Sequence, residues 1–322
     1  MTELTVPPGT GPIRLDRFLT LHVPGCSRRS AQRAVAAGGV RVNGRAARKG
    51  QAIFSGDIVG VPEELCAPPQ LQPNPQLIVH VLYEDAALIV IDKPAGMPSH
   101  ALRGDETDTV ANFLLARFPE LAGIGKNDRE PGIVHRLDTD TSGALLAART
   151  PAAFGMVRAQ FATHQARKEY LAVVHGDVVI GGEVRTPIAH DRRNRRKMRV
   201  CATTEPVRGA RPAVTGYRPL ERFGTDTLLA VEISTGVRHQ IRVHLASIGH
   251  PIVGDHLYGG NLRTGDPPRH LLHATRLTIV HPQTGQSLTV ACEPPADFNA
   301  FVGQAREKQR ALTGRTRRAQ HQ

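Results

Sequence analysis

The pattern of apolar and polar positions predicts a mixture of helices and strands. Apolar residues recur at helical spacing from Val237 to Ile248, which predicts a helix with a buried stripe. Thr150, a capping residue followed by proline, predicts the start of a second helix that reaches about residue 164. A third helix is predicted at 110–118, and strands are predicted at 77–83, 88–92, 170–174, 215–220, 227–233 and 277–280. Because the strands and helices do not alternate regularly, we predict an α+β fold with a mixed, largely antiparallel sheet flanked by helices.

A compact basic unit precedes a proline-rich segment. Ser27 can cap a helix over 28–37 that stops at two glycines, and a strand at 40–42 leads into an Asn43–Gly44 turn. The segment 63–76 contains four prolines and few residues to bury, which predicts an extended linker. The predicted regions are therefore a small domain at 1–62, a linker at 63–76, a main domain at 77–302 and a basic tail at 303–322.

The charge of the chain favours a polyanionic partner. The formal net charge is +12, and the first sixty residues carry nine basic against three acidic side chains. Six further basic residues lie within 192–199, and six more lie in the predicted tail. Arg28, Arg29 and Arg33 lie on or beside the first predicted helix, where they can grip a phosphate backbone. Each cluster alone is compatible with a solvated surface, but together they favour nucleic acid.

Several other classes are disfavoured. The four cysteines stand far apart without a Cys-x-x-Cys pair, which argues against a zinc site or a disulfide framework. No apolar stretch has the length of a signal peptide or a membrane span, so we expect a cytoplasmic protein without a membrane partner. His239 and His244 share their segment with Arg238 and Arg242, whose charges oppose a metal ion, so no metal site is predicted.

The segment GIVHRLDTDTSGALLAART at 132–150 carries the candidate chemistry. Asp138 follows a His–Arg pair and begins an Asp-x-x-Thr-Ser-Gly turn, which can hold one side chain rigidly at the floor of a cleft. His135 by itself favours a structural histidine over a general base. Arg238 and Arg242 are predicted one turn apart on a helix, and facing Asp138 they would keep it ionised. Such a pair is compatible with a purely structural role. An ionised and oriented carboxylate is also what attack on an anomeric carbon or an electron-poor ring requires.

Several motifs in order resemble the RluA-type pseudouridine synthases. GIVHRLDTDTSGALLAART is accompanied by YEDAALIVIDKPAGMPSH (83–100), RKEYLAVVHG (167–176), STGVRHQIRVHLASIGHPIVGDHLYGG (234–260) and LLHATRLTIVHPQTG (271–285). The N-terminal unit, with RLDRFL, SRRSAQRAV, GGVRVNG and GDIVGV, resembles an S4 RNA-binding domain. Together they resemble the members of the family that carry an S4 domain and act on large-subunit ribosomal RNA.

The resemblance implies roles for three catalytic residues. Asp138 would be the nucleophile, Tyr170 would stack on the target uracil and help to remove its C5 proton, and Arg242 would pair with Asp138. No second acid is found in a comparable context, whereas a glycosidase needs one for its leaving group. A reaction whose leaving group stays in the site needs only one carboxylate. Addition of Asp138 to C1′, its addition to C6 and removal of the 2′ proton all remain open.

The resemblance also implies how RNA is bound. Arg136 would enter the RNA helix where the target base has left it, and Leu137 and Ile241 would contact the base. The expected enzyme is an isomerase that converts uridines in structured RNA to pseudouridine, with 23S ribosomal RNA favoured and tRNA possible. No redox step or energy input is needed, so no cofactor or metal is expected. No protein partner is evident from the sequence. The alternatives are a non-catalytic RNA-binding or ribosome-assembly factor and an RNA N-glycosidase.

Overall fold

The chain forms two compact units. The computed structural model describes residues 1–24, 26–66, 71–101, 106–201, 207–259, 263 and 265–319. Among the described residues, one unit comprises those of 1–72 together with Glu106, and the other takes up Pro73–Ala101 and the chain from Thr107 onward. Residues 67–70 of the predicted linker and 320–322 of the predicted tail lie outside the described residues.

The first unit packs two helices against short strands. Its core contains Leu15, Phe18, Leu19, Ile53 and Val59, all at most 1% exposed. The elements are β1 (Thr2–Thr5), β2 (Ile13–Arg14), α1 (Leu15–His22), α2 (Arg28–Ala36), β3 (Arg41–Val42), β4 (Arg45–Ala46), β5 (Ala52–Ile53), β6 (Ile58–Val61) and α3 (Glu63–Cys66). A four-stranded antiparallel sheet has the order β1-β6-β3-β4, and β2 pairs with β5.

Helix α2 begins as the sequence predicts. The hydroxyl of Ser27 accepts a hydrogen bond from the backbone N–H of Ser30, and the Ser30 hydroxyl accepts one from the Ser27 N–H. This reciprocal cap satisfies two of the amide groups that a helix start leaves without intrahelical partners. The helix ends at Ala36, before Gly38 and Gly39.

The start of the predicted linker is not extended. Glu63–Cys66 forms the short helix α3, and Leu65 is buried in the core of the first unit. The prolines of this segment come after Cys66, so they do not prevent a helical turn before them. Burial of one leucine is the reason for the difference, because it ties the segment to the unit that precedes it.

The second unit is built on a nine-stranded sheet. The strands of this unit, two of which lie outside the large sheet, are β7 (His80–Glu84), β8 (Leu88–Lys93), β9 (Ser142–Ala148), β10 (Arg167–His175), β11 (Gly182–Val184), β12 (Ile188–His190), β13 (Met198–Val200), β14 (Thr215–Arg222), β15 (Asp226–Ile233), β16 (Leu272–Val280) and β17 (Ser287–Ala291). Its helices are α4 (Val110–Arg117), α5 (Pro151–Ala162), α6 (Gln240–Ser247) and α7 (Ala296–Ala319), with a 3₁₀ turn at Pro119–Leu121.

The topology of the large sheet confirms the predicted α+β class. The strand order is β11-β14-β15-β10-β16-β9-β8-β7, with β17 pairing to β16, while β12 and β13 form a separate hairpin. Every pair in the large sheet is antiparallel except β9 with β16. The core includes Leu88, Val90, Leu146 and Ala148 from two of the central strands.

Strand β9 is buried along its whole length and begins just after Asp138. Gly143 has a φ of +112°, and a Cβ at this position would collide with the backbone of Ala274 on β16. Only glycine allows both the dihedral and this close approach. The glycine that the sequence placed at the end of the Asp138 turn therefore fixes the distance between β9 and β16.

Strand β7 and helix α6 both begin later than the sequence predicted. Strand β7 starts at His80 rather than at residue 77. Helix α6 starts at Gln240 because His239 has a left-handed backbone (φ 55°), so Arg238 precedes the helix and is exposed while Arg242 is buried. Arg238 and Arg242 therefore do not share a helix face.

Helix α7 runs without interruption through residue 303, where the sequence predicted the start of a basic tail. Phe298, Val302 and Ala305 recur at helical spacing and pack into the core beside Val173 and Leu271. The apolar stripe of this helix thus crosses the predicted boundary, which was based on charge alone.

Candidate active site

A turn before β9 holds Asp138 at a cleft. The Ser99 hydroxyl donates to the carbonyl of Leu137 (2.8 Å) and accepts from the Leu137 N–H (3.1 Å). The Thr141 N–H donates to the Asp138 carbonyl over 3.1 Å and closes the turn. Asp138 is therefore fixed by local bonds on both sides.

Lys93 also holds this turn in place. Its fully buried Nζ donates to the carbonyl oxygens of Pro94 (2.8 Å), Met97 (2.6 Å) and Thr139 (2.8 Å). Lys93 was not predicted as a site residue. The available signal was a lysine at the end of the buried strand β8, because a buried lysine needs such acceptors.

Arg242 joins Asp138 to a second carboxylate. Its Nη1 donates to Oδ2 of Asp138 over 2.9 Å. Its Nε and Nη2 donate to the two oxygens of Asp255 over 2.7 and 2.9 Å. The Asp138 side chain is 18% exposed, whereas that of Asp255 is 0% exposed. Of the two carboxylates on this guanidinium, only Asp138 can reach a substrate.

The charges around Asp138 keep it ionised. Burial alone would raise the pKa of this carboxyl, but His239 and Arg242 outweigh burial and hold the pKa below its usual value. Burial lowers the pKa of His239 to about 4, so its imidazole is neutral at pH 7 and Arg242 is the cation that remains. Burial lowers the pKa of Arg242, but Asp255 and then Asp138 raise it above its ordinary value. The pair is therefore ionic at neutral pH.

Asp255 was not singled out as a site residue in the sequence analysis. Its pKa is held below its ordinary value, because Arg242 and backbone amide groups outweigh the effect of burial. The acidic residue stands in the quoted motif GHPIVGDHLYGG, but its contact with Arg242 spans thirteen positions and a change of element. No local pattern predicts such a pairing.

The other predicted catalytic-domain residues line the same cleft. The cleft has a volume of about 870 Å³ and is lined by Arg136, Leu137, Asp138, Tyr170, Ile241 and Arg242. Leu137, Tyr170 and Ile241 are buried, and Arg136 is exposed. Strand β10 supplies Tyr170, and helix α6 supplies Ile241 and Arg242. The structure thus brings together six residues from three segments that are far apart in sequence.

The Tyr170 hydroxyl is protonated at neutral pH. Burial and, to a smaller extent, the charge of Asp138 raise the pKa of this hydroxyl far above its ordinary value. A phenol in this state can stack on a ring or donate a hydrogen bond. It offers no phenolate to remove a proton.

The side chains that line the cleft carry a net positive charge. Seven lysine and arginine side chains line it against two carboxylates, those of Glu130 and Asp138. The Lys168 ammonium donates to the Thr235 carbonyl (3.0 Å) and lies 5.6 Å from the ring centre of Phe161. This charge balance suits a polyanion.

His135 has a structural position. Its Nε2 accepts a hydrogen bond from the Leu146 N–H over 3.1 Å, and its ring stacks on Phe161 at 4.8 Å. Burial lowers the pKa of His135 to about 3, so the imidazole is neutral. The interpretation of His135 as a hydrogen-bonded structural histidine agrees with this geometry.

The predicted RNA-contacting arginines of the first unit lie on helix α2. Arg28, Arg29 and Arg33 are all exposed. The Nε of Arg28 donates to Asp16 over 3.0 Å, which offsets part of its charge. Asp16 also accepts from Arg14 and Gln32.

Two findings concern classes that the sequence disfavoured. Among the described residues, no three or more His, Cys, Asp and Glu side chains are grouped so that they could hold a metal ion. Within the same part of the chain, no helix has both the length and the apolar character needed to cross a membrane.

An ionised aspartate and a buried tyrosine thus line a cleft with a net positive charge, and such a charge suits a polyanion such as RNA. Residues 87–247 match the family described as RNA pseudouridylate synthase, and residues 13–59 match the S4 domain. The chain belongs to the RNA pseudouridylate synthase family, and its activity is that of an isomerase acting on RNA. The resemblance inferred from the motifs is confirmed.

Individual relatives match over most of their length. The chain is 39% identical to an uncharacterized RNA pseudouridine synthase of Synechocystis, covering 93% of this chain and 91% of that protein. It is 38% identical to the ribosomal large subunit pseudouridine synthase D of Nitrosomonas europaea, covering 93% and 86%. Among solved structures, human RNA pseudouridylate synthase domain containing 4 superposes with a TM-score of 0.56 at 28% identity, covering 70% of this chain and 93% of that one.

Proposed function

We propose that this isomerase converts one or more uridines of 23S ribosomal RNA to pseudouridine, with Asp138 as its nucleophile. The observation that carries the proposal is the asymmetric sharing of Arg242: the buried Asp255 occupies two of its nitrogens, and the accessible Asp138 occupies the third. The name of the Nitrosomonas europaea relative supports large-subunit RNA as the substrate. We also propose that the protein works in the cytoplasm, where that RNA is found.

The proposed reaction needs one carboxylate and no leaving-group acid. A uridine is flipped out of the RNA at a cost of a few kcal/mol of stacking. The N1–C1′ bond breaks, the uracil turns in the cleft, and a C5–C1′ bond forms. The C5 proton passes to solvent and N1 gains a proton, so atoms and charge balance. Asp138 supports the cleavage by addition to C1′, by addition to C6 or by removal of the 2′ proton.

Arg242 would set the charge and direction of Asp138. With two nitrogens fixed on Asp255, the guanidinium cannot rotate, so its third nitrogen holds one carboxylate oxygen in place. The other oxygen, Oδ1, is left to face the substrate. Preorganised charge of this kind needs no reorientation during the reaction.

Tyr170 would act by stacking on the uracil. The expected help in removing the C5 proton has no support in a hydroxyl that stays protonated at neutral pH. Leu137 and Ile241 would supply apolar contact to the base from the same cleft. Arg136, which is exposed beside them, would fill the space that the flipped base leaves in the RNA helix.

The first unit would hold the RNA by its phosphates. Arg28, Arg29 and Arg33 lie on the exposed side of α2 within the S4 match. We retain the division into an RNA-binding domain at 1–62, a linker at 63–76, a catalytic domain at 77–302 and a basic segment at 303–322 as part of this proposal. In the last region the basic segment continues helix α7.

The test measures tritium release from 23S ribosomal RNA transcribed with 5-tritiated uridine. We expect Asp138→Asn to abolish release and to bind the RNA as the wild-type protein does. Asp140→Asn, in the same turn, is the matched control and should release tritium normally. Activity in the Asp138→Asn variant would remove Asp138 from its role, release from tRNA alone would overturn the substrate, and free uracil in solution would indicate an N-glycosidase.

A further inference from the structure

The hydroxyl of Tyr258 connects three parts of the second unit. It accepts a hydrogen bond from the backbone N–H of Met198 over 2.7 Å. It also hydrogen-bonds Nδ1 of His239 over 2.9 Å, and the two rings meet edge to face at 5.7 Å. The Tyr258 ring covers Arg242, whose guanidinium carbon lies 5.2 Å from the ring centre. One side chain thus contacts β13, the residue before α6 and the arginine of the catalytic pair.

Asp255 sets the position of Tyr258. Its Oδ1 accepts the backbone N–H groups of Leu257 and Tyr258 over 2.9 and 3.0 Å. The same carboxylate binds Arg242 through both oxygens. Asp255 therefore holds the guanidinium of Arg242 by two hydrogen bonds in the plane of that group. Asp255 also positions the tyrosine whose ring lies over one face of the guanidinium.

His239 completes a ring of contacts around Asp138. Its Nε2 lies 3.9 Å from Oδ1 of Asp138, the oxygen that Arg242 leaves free. The backbone of His239 is left-handed (φ 55°), which is unfavourable for a residue with a Cβ and persists only where neighbouring contacts hold it. The hydrogen bond between the Tyr258 hydroxyl and Nδ1 of His239 is one contact that holds the imidazole at this place.

The same hydroxyl fixes the base of a basic hairpin. Met198 begins β13, and the loop between β12 and β13 carries the basic residues Arg192, Arg193, Arg195, Arg196 and Lys197. The Lys197 ammonium lies 6.0 Å from the Tyr258 ring centre. A phosphate backbone bound by this loop would therefore be held at a set distance from Asp138.

We propose that Tyr258 is a positioning residue for the isomerisation. Its hydroxyl holds His239 against Asp138 and anchors the basic hairpin beside them, while its ring confines Arg242. This inference rests on the proposed role of Asp138. Tyr258 acts through the residues it holds, so its loss lowers the rate of the chemical step and leaves RNA affinity to the phosphate contacts.

Tyr258→Phe tests the inference, because it keeps the ring over Arg242 and removes both hydrogen bonds of the hydroxyl. We expect kcat on 23S ribosomal RNA to fall roughly 10- to 100-fold, as misplacement of catalytic groups does, with an unchanged RNA dissociation constant. The matched control is Tyr83→Phe, on β7, which loses a 2.6 Å hydrogen bond to Asp85. Its kcat should equal that of the wild type. Thermal unfolding of both variants reports any loss of structure.

A double variant separates positioning from a general structural role. Since Tyr258 acts on Asp138 through His239, Tyr258→Phe should change kcat far less in a His239→Gln background. The inference is overturned if Tyr258→Phe has the kcat of Tyr83→Phe, if it changes only KM, or if its effect is undiminished beside His239→Gln. An active Asp138→Asn variant would overturn the proposed function itself. An inactive Asp138→Asn with a normal Tyr258→Phe would overturn this inference alone.

Discussion

The Nη1 atom of Arg242 lies 2.9 Å from Oδ2 of Asp138, across 104 positions of sequence. This contact joins helix α6 to the turn before β9, two elements that are far apart in the sequence. Because Asp255 fixes the other side of the guanidinium, the geometry of the pair is set by three elements at once.

Replacement of Arg242 should shift the pH dependence of the reaction. His239 and Arg242 both lower the pKa of Asp138 against the effect of burial, so the loss of one of them in Arg242→Gln should raise this pKa. The active form is the ionised one, so the rate of the variant should fall, as pH decreases, at a higher pH than the wild-type rate does. We also expect kcat near neutral pH to fall about 100-fold, or about 2.7 kcal/mol. Single-turnover rates between about pH 5 and pH 8 measure both effects.

The control for this variant is Arg276→Gln. Arg276 also faces a carboxylate, Glu169, but the pair is exposed and should contribute little. Its pH profile should match that of the wild type. An unchanged acid limb in Arg242→Gln, with the fold intact, would show that Arg242 does not set the ionisation of Asp138.

Gly143→Ala should destabilise the second unit. The new Cβ would meet the backbone of Ala274 at a φ that disfavours L residues, which costs about 2–4 kcal/mol. Gly155, within α5, is the matched control, since a Cβ there meets open space. Gly155→Ala should stabilise the protein by about 0.5–1 kcal/mol. Urea unfolding of the full chain measures both, and equal stabilities would contradict the close approach of β9 to β16.

Lys93→Met should loosen the turn that carries Asp138. The substitution removes three hydrogen bonds that Lys93 donates to carbonyl oxygens, and one of these oxygens belongs to Thr139. We expect a loss of about 2–4 kcal/mol in unfolding free energy and a drop of about tenfold in kcat. Lys126→Met, at an exposed position of the cleft, should leave the unfolding midpoint unchanged. A wild-type kcat in the Lys93 variant would show that the turn holds its shape without these bonds.

Removal of the α2 arginines should weaken RNA binding without slowing the chemistry. Arg29→Ala and Arg33→Ala should each reduce by about one the slope of log affinity against log salt concentration, since each contact releases counterions. The kcat at saturating RNA should stay constant. Arg29→Lys keeps the charge and should keep the slope. A salt slope that does not change in either alanine variant would remove α2 from the RNA interface.

The sequence alone determined the features that depend on near neighbours. Ser27 and Thr150 predicted two helix starts correctly, because a capping side chain bonds to an amide only three residues away. The motifs around Asp138 and Tyr170 indicated the family. The basic composition indicated a polyanionic partner, since net charge needs no coordinates.

The tertiary structure decided which residues surround Asp138. Helical periodicity predicted that α6 would begin near Val237, but His239 has a left-handed backbone and the helix begins after it. A hydrogen bond with the Tyr258 hydroxyl holds the His239 ring in this place. Asp255, Lys93 and Tyr258 entered the site only through tertiary contacts with other elements. Helical periodicity predicts which side of a helix is buried, but it does not predict which residues contact that side. The second partner of Arg242 therefore became visible only when the chain was folded.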